Sequence, residues 1–374
     1  MQVLLLSCNT GEGHNACAAA IAEAFNAHGD GCEMRDALGF ISDATSRLIT
    51  KSDIFLYRRM PELFRMGYGI ADRHAAMFRE SSLCSRFFAR GAEKLCEEIA
   101  GAGYDAVICT HPFAALMLRE ALRHRALPVY SAFVATDYTC CPGVGDADLD
   151  LFFIPDEDLV GEFQSRGVAP NRIVPSGIPI RRMFYETYPE AKPTAKKHHL
   201  VMMCGSLGAG PIKTLTSLLI RNNYGEFDLT VICGTNKRLR EQLERHFGHR
   251  GNLRILGYVE DMAAMLDSAD VFITKPGGIS VTEAAAKNVP MVFIHAVDGC
   301  EAYNRRFFVS LGGAESRRKP REAAELCRSL LRDPMERAEM SRCLSAIGKE
   351  NAAELICETM HQVCTGTSME GRVS

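Results

Sequence analysis

The residues best suited to chemistry in this chain stand in the segment Thr274-Lys275-Pro276-Gly277-Gly278-Ile279-Ser280-Val281-Thr282-Glu283. An apolar run, Ala269-Asp270-Val271-Phe272-Ile273, precedes it and reads as a buried parallel strand, and a helical pattern from Glu283 to Lys287 follows. A strand, a glycine pair and a helix start aim free backbone N–H groups and a positive dipole end at one point. That point suits an anion, and a diphosphate above all. Glu283 follows Gly278 by five residues, so its carboxylate can accept hydrogen bonds from two vicinal ribose hydroxyls. Diphosphate with ribose describes a nucleotide. The plainer alternative is a glycine turn that lets a helix lie close on the sheet.

A second glycine loop, Cys8-Asn9-Thr10-Gly11-Glu12-Gly13-His14-Asn15, joins the apolar run Val3–Ser7 to an alanine-rich helix over 16–27. Gly11-x-Gly13-x-x-Ala16, with Asp36 closing a second strand, has the letters of a dinucleotide fingerprint, which raises an NAD(P)-dependent enzyme as a possibility. The spacing argues against it, because Cys8, Asn9 and Thr10 separate the strand from the first glycine. His14 gives the loop a different use. Near a positive dipole end an imidazole stays neutral at pH 7 and can accept a proton.

These loops need sheets to position them, and strand-like runs alternate with helical patterns throughout, as in parallel α/β layers. The first half reads as strands at Val3–Ser7, Cys32–Arg35, Asp105–Thr110, Val129–Val134 and Leu151–Ile154. A proline- and lysine-rich stretch from Gly177 to Lys197 marks a boundary. A new series follows at His199–Met203, Leu229–Cys233, Leu253–Leu256, Val271–Thr274 and Met291–Ile294. The expected organisation is a domain over 1–180, a second over 181–350, and a helix and tail over 351–374. The helix over 351–363 is expected to lie back across the domain boundary, and the tail after Cys364 to be disordered.

A chain of 374 residues with a net charge of −3 suits a two-domain globular protein and gives no sign of nucleic-acid binding. Its 15 cysteines include no C-x-x-C pair or metal-ligand spacing, which points to free thiols in a reducing cytosol. No apolar stretch approaches the ~18 residues of a membrane span, and the start reads as a core strand rather than a signal peptide. One region differs. From Arg47 to Arg90, basic residues, among them Arg58, Arg59 and Arg65, interleave with apolar ones such as Leu48, Phe64, Met66 and Tyr68. That mixture suits an anionic membrane surface, each nearby cation contributing ~1 kcal/mol, or an ordinary amphipathic helix with a solvated face.

Three more loops in the second half follow strands: Cys204-Gly205-Ser206-Leu207-Gly208, Cys233-Gly234-Thr235-Asn236 and Gly257-Tyr258-Val259. Ser206 can donate to a phosphate, and the Val259 backbone can pair with a uracil edge. Together with Lys275, Gly277, Gly278 and Glu283 they outline a UDP pocket at the C-terminal ends of parallel strands. Asp146-Ala147-Asp148 and Asp148-Leu149-Asp150 spell the D-x-D of metal-dependent glycosyltransferases but read as a solvated loop.

With these motifs, nearly the whole chain resembles the inverting glycosyltransferases of the GT-B fold, which have two facing Rossmann-like domains. More closely, it resembles the monogalactosyldiacylglycerol synthase and processive diacylglycerol glucosyltransferase group. The resemblance rests on Thr10-Gly11-x-Gly13-His14, Thr110-His111-Pro112-Phe113, Ala135-Thr136-Asp137-Tyr138-Thr139-Cys140 and the loop from Thr274 to Glu283, continuing to Gly299-Cys300-Glu301-Ala302-Tyr303-Asn304. It implies transfer of a hexose from a UDP-sugar to diacylglycerol, with inversion, without a metal or other cofactor, by an enzyme peripheral on the inner face of the cell membrane. It also implies His14 as general base, Asp137 as the group that orients it or replaces it, and His111 at the acceptor site. Glu301 and Asn304 join the donor pocket, and Arg58, Arg59, Phe64, Arg65 and Tyr68 face lipid. The family commonly has Gln where Cys300 stands, which leaves glucose, galactose and GlcNAc open as donors. A UDP-GlcNAc transferase acting on a polyprenyl-linked or other lipid and a non-catalytic UDP-sugar sensor are the alternatives.

Overall fold

The computed structural model of the protein describes residues 1–59, 61–79, 82–186, 197–205, 208, 210–221, 223, 225–296, 299–347 and 351–366. The side chains of 53–59, 61–65 and 75–76 lie outside that description, as do Ser206, much of the expected boundary stretch and the tail beyond 366. The chain divides into two units, one of residues 1–182, 298–300 and 350–374, the other of residues 183–297 and 301–349.

In the first unit Val3, Leu4, Leu5 and Leu6 are wholly buried in β1 (Gln2–Ser7), as a strand covered on both faces requires. After it come α1 (Glu12–Ala27), β2 (Gly31–Asp36), α2 (Asp43–Arg59), α3 (Pro61–Arg73), α4 (Leu83–Ala102), β3 (Ala106–Cys109) and α5 (Pro112–His124). Next are β4 (Tyr130–Val134), β5 (Leu151–Ile154), α6 (Val160–Ser165) and β6 (Ile173–Pro175). The strands are all parallel, in the order β2-β1-β3-β4-β5-β6. Strand order therefore reverses between β1 and β3, and the crevice outside the carboxyl ends of such a pair is where open α/β sheets bind ligands. Register sets Leu6 beside Cys109, and the Thr110 N–H donates to the Leu6 carbonyl at 3.0 Å, so the loops after β1 and β3 emerge side by side.

The second unit comprises β7 (His198–Met203), α7 (Ile212–Arg221), β8 (Phe227–Ile232), α8 (Lys237–Phe247), β9 (Leu253–Leu256), α9 (Met262–Asp267), β10 (Val271–Thr274) and α10 (Gly278–Ala286). It continues through β11 (Met291–Phe293), α11 (Cys300–Leu311, whose first residue counts with the first unit), β12 (Ala314–Ser316), α12 (Pro320–Arg332) and α13 (Pro334–Leu344). Its parallel order is β12-β11-β10-β7-β8-β9, with the reversal between β7 and β10. Met203 pairs with Thr274, which brings the loops after those two strands level.

The strands expected from sequence are present, with ends moved by a residue or two. Each sheet has one more, β6 or β12, at an edge. Both are three residues long, too short to show a period, and Pro175 is tolerated only because an edge needs no ladder donor there. The final helix, α14 (Ala352–Thr365), belongs with the first unit. It lies on α1, with Ile356, Cys357 and Met360 wholly buried, His361 Nε2 2.7 Å from Asp30, and Glu354 paired with His28.

Candidate active site

In the first unit, the loop after β1 is fixed by a chain of side-chain bonds. Ser7 donates to Asn15 (2.7 Å), Asn15 to Asn9 (3.0 Å), and Asn9 to Asp36 (3.1 Å). Asp36 also accepts from the Leu38 N–H and the Ser46 hydroxyl. Its oxygens thus brace the loop, which further weakens the dinucleotide reading.

The brace presents His14, in the first turn of α1 just after Gly13, to the loops after β3 and β4. His14 Nδ1 lies 2.8 Å from the Thr110 carbonyl oxygen. A carbonyl only accepts, so Nδ1 carries the proton and Nε2 the lone pair. Thr136 Oγ1 is 3.0 Å from the same Nδ1 and shares it. The Thr110 hydroxyl donates in turn to the His14 carbonyl at 3.1 Å. Burial lowers the pKa of His14, and the bond to Thr110 only partly opposes it. The imidazole is therefore neutral at neutral pH, as expected, although burial rather than the helix dipole is the leading cause.

His111 lies edge-on to His14, ring centres 4.4 Å apart. It caps α5, its Nδ1 accepting the Phe113 N–H at 3.0 Å, so Nε2 holds the proton and donates to Thr10 Oγ1 at 3.0 Å. Burial, then the neighbouring His14, holds its pKa well below the usual imidazole range. With both nitrogens engaged, His111 has no free lone pair with which to take a proton.

Asp137 follows Thr136, half-buried, but the groups that hold His14 Nδ1 are Thr110 and Thr136. The Asp137 carboxylate lies instead with the thiols of Cys141 and Cys300, the three ligand atoms within 4.8 Å of one another. Sequence reasoning missed Thr136 and Thr110 as the orienting groups, although both stand in the quoted motifs.

In the second unit, Lys275 Nζ meets Glu301 at 2.6 Å. The lysine stem crosses Gly205, where an added Cβ would lie 2.6 Å from Lys275 Cε, and Gly205 has a φ of +68° that disfavours any side chain. The loops at the strand reversal are joined through that contact. Asn304, wholly buried, donates to the Pro276 carbonyl at 3.0 Å and so supports the loop. Gly277 is the N-cap of α10 and offers no side-chain cap, and the first intrahelical bond runs from Val281 N–H to the Gly277 carbonyl. The amides of Gly278, Ile279 and Ser280 precede that bond and are the unpaired donors of a helix start. Glu283 is half-buried on the same helix. Gly234 (φ +57°) and Thr235 follow β8, and Val259 follows β9. These positions share the carboxyl edge of the second sheet.

Asp148 and Asp150 are exposed, as a solvated loop requires, although Asp150 also braces β4 by accepting from the Ser131 N–H (2.8 Å) and hydroxyl (2.6 Å), and Asp148 pairs with Arg172 at 2.7 Å. Tyr68, expected to face lipid, is half-buried with its ring against Gly299 and its hydroxyl 3.3 Å from Cys300 Sγ. The side chains of Arg58, Arg59, Phe64 and Arg65 lie outside the described residues. Leu48, Met66 and Ile70 on α2 and α3 are 67%, 59% and 52% exposed.

Residues 14–180 match the monogalactosyldiacylglycerol (MGDG) synthase family, and residues 199–356 the glycosyltransferase family 28 C-terminal domain. A processive diacylglycerol β-glucosyltransferase of Bacillus cytotoxicus is 28% identical over 369 residues, 95% of this chain and 92% of the relative. One from Bacillus subtilis is 27% identical over 373 residues, 96% and 94% of the two chains. Among solved structures, Acinetobacter baumannii MurG superposes with a TM-score of 0.67 at 16% identity, covering 96% of this chain and 99% of that one. The Staphylococcus aureus MnaA–UDP structure gives 0.67 at 13% identity over the whole of both. The fold is GT-B-like. The chain belongs to the MGDG synthase and family 28 glycosyltransferases, and it is an enzyme of that class.

Proposed function

We propose that this glycosyltransferase moves a hexose from a UDP-sugar to the free hydroxyl of diacylglycerol, or of a glycosyldiacylglycerol, with inversion, at a membrane surface. The observation that carries the proposal is His14: a neutral imidazole, its tautomer fixed by the Thr110 carbonyl so that Nε2 offers a lone pair at the strand reversal. The acceptor hydroxyl gives its proton to Nε2 as its oxygen attacks the anomeric carbon, and the bond to the UDP oxygen breaks on the opposite face. One displacement inverts the centre. Charge growing on the departing β-phosphate meets the amides that open α10 and the positive charge of Lys275, both fixed before the reaction begins. Glu283 holds the ribose, and Glu301 sits beside Lys275 at the sugar. Asp137 supports the acceptor side without acting as the primary base.

The names of the Bacillus relatives support diacylglycerol as the acceptor. No helix among the described residues is long and apolar enough to cross a membrane. The exposed Leu48, Met66 and Ile70 fit a face that dips into the interface instead, with a basic stretch beside them in sequence.

The test is incubation with labelled UDP-glucose, UDP-galactose and UDP-GlcNAc over liposomes containing diacylglycerol and anionic lipid. Labelled glycosyldiacylglycerol with a β linkage is expected from one of the two hexoses. Transfer only from UDP-GlcNAc, or only to a polyprenyl-linked acceptor, would replace this reading with the other lipid-directed one. Donor binding without turnover on any acceptor would favour a sensor.

A further inference from the structure

Two thiols in the first unit stand closer than thiols that merely touch. Cys141 Sγ is 3.2 Å from Cys300 Sγ, and Cys300 Sγ is also 3.3 Å from the Tyr68 hydroxyl. The backbone is fixed on both sides. Cys141 follows the Thr136–Cys140 turn, where Glu162 holds the Thr139 hydroxyl (2.6 Å) and the Cys140 N–H (2.9 Å). Cys300 follows Gly299, whose φ of +120° no other residue adopts readily, with the Tyr68 ring against it. Both residues keep part of their surface in contact with solvent.

The same sulfurs and the Asp137 carboxylate form a candidate cation cluster. The sulfur separation favours a different use. Two thiolates on a tetrahedral zinc at ~2.3 Å would be about 3.8 Å apart. A disulfide needs about 2.05 Å, which leaves the two sulfurs about 1.2 Å to close.

We propose that Cys141 and Cys300 are a reversible dithiol–disulfide pair, and that closing the bond shuts down glycosyl transfer. The oxidant is a low-molecular-weight disulfide. The thiolate of one cysteine attacks it, forming a mixed disulfide and expelling one small thiolate. The second cysteine then attacks the protein sulfur of that mixed bond and expels the other. Two electrons pass from the protein thiols to the small disulfide, and the two thiol protons go to the two departing thiolates. The bond to Cys141, then burial, keeps the Cys300 thiol well above its ordinary range. At Cys141 the bond to Cys300 is the largest influence and acts in the opposite sense, while burial together with the neighbouring Asp137 and Cys140 leaves a net, smaller rise. Cys141 is thus the first attacker.

Loss of activity follows from position and rests on the donor reading above. Cys300 opens α11, and the next residue, Glu301, holds Lys275. A bond at Cys300 fixes the start of that helix and removes the thiol beside the sugar-contacting acid.

The test treats the reduced full chain with oxidised glutathione, then maps peptides without reduction and measures turnover. A linked Cys141–Cys300 peptide, most of the turnover lost, and recovery with dithiothreitol are expected. Cys141→Ser should keep its own reduced-state rate under oxidant. No linked peptide while exposed thiols are modified would overturn the pair, as would full zinc occupancy that protects both thiols. A linked peptide with unchanged turnover would overturn the switch. The peptide map is independent of the donor reading, so the two fail separately.

Discussion

At the scale of single residues, the site depends on one proton's position. A neutral His14 with hydrogen on Nδ1 can act as base, and the same ring with hydrogen on Nε2 cannot. His14→Gln should therefore lower kcat by ~10²–10⁴-fold, the usual worth of a general base, with little change in UDP affinity. Since burial lowers its pKa, the acid limb of kcat/KM should lie below the ~6.5 of a free imidazole, and activity should fall as pH drops through it. A limb centred above 6.5 would remove His14 as the neutral base. Thr136→Val deletes one of the two groups on Nδ1 and should cost about 0.5–1.5 kcal/mol in kcat/KM, with Thr136→Ser close to the parent. The place of His14 was legible in the sequence, because it directly follows a strand and a glycine loop at a helix start. Its orienter was not. Thr136 is 122 residues from His14, and no local pattern reports a contact made only when β1, β3 and β4 align.

At the scale of elements, the proposed donor site rests on α10, whose start lacks a side-chain cap and follows a fully buried strand. Glu283→Ala should weaken UDP binding by ~1.5–3 kcal/mol, the range for hydrogen bonds to a charged group, as read by calorimetry on the unsubstituted nucleotide. An unchanged dissociation constant would take the ribose away from Glu283. This element was readable because β10 is a continuous apolar run, Val271 to Ile273, ending in glycines. β6 and β12 were not, since three residues at a sheet edge carry neither alternation nor a sustained apolar run. Asn304 shows the opposite limit. Its place in the motif was readable, yet only the packing reveals that it is buried with its amide donating to the Pro276 carbonyl.

At the scale of the whole molecule, two parallel sheets with reversals between β1 and β3 and between β7 and β10 each create one ligand edge. The alternation of strand and helix made that architecture legible. The return of α14 was expected only in outline, because its partners on α1 are set by tertiary packing. Removing residues 351–374 uncovers the surfaces that bury Ile356, Cys357 and Met360, at ~1.5–3 kcal/mol for each large apolar side chain. The truncated protein should unfold at a clearly lower temperature in a thermal melt, and an unchanged midpoint would show that the helix is dispensable. The same arrangement sets an order of events during synthesis. The opening domain leaves the ribosome with one flank of α1 bare, and nothing can cover that flank until residue 365 has been made. Translation thus releases a complete second sheet while the first still waits for its closing piece, and the earliest half of the polypeptide is the last to be finished.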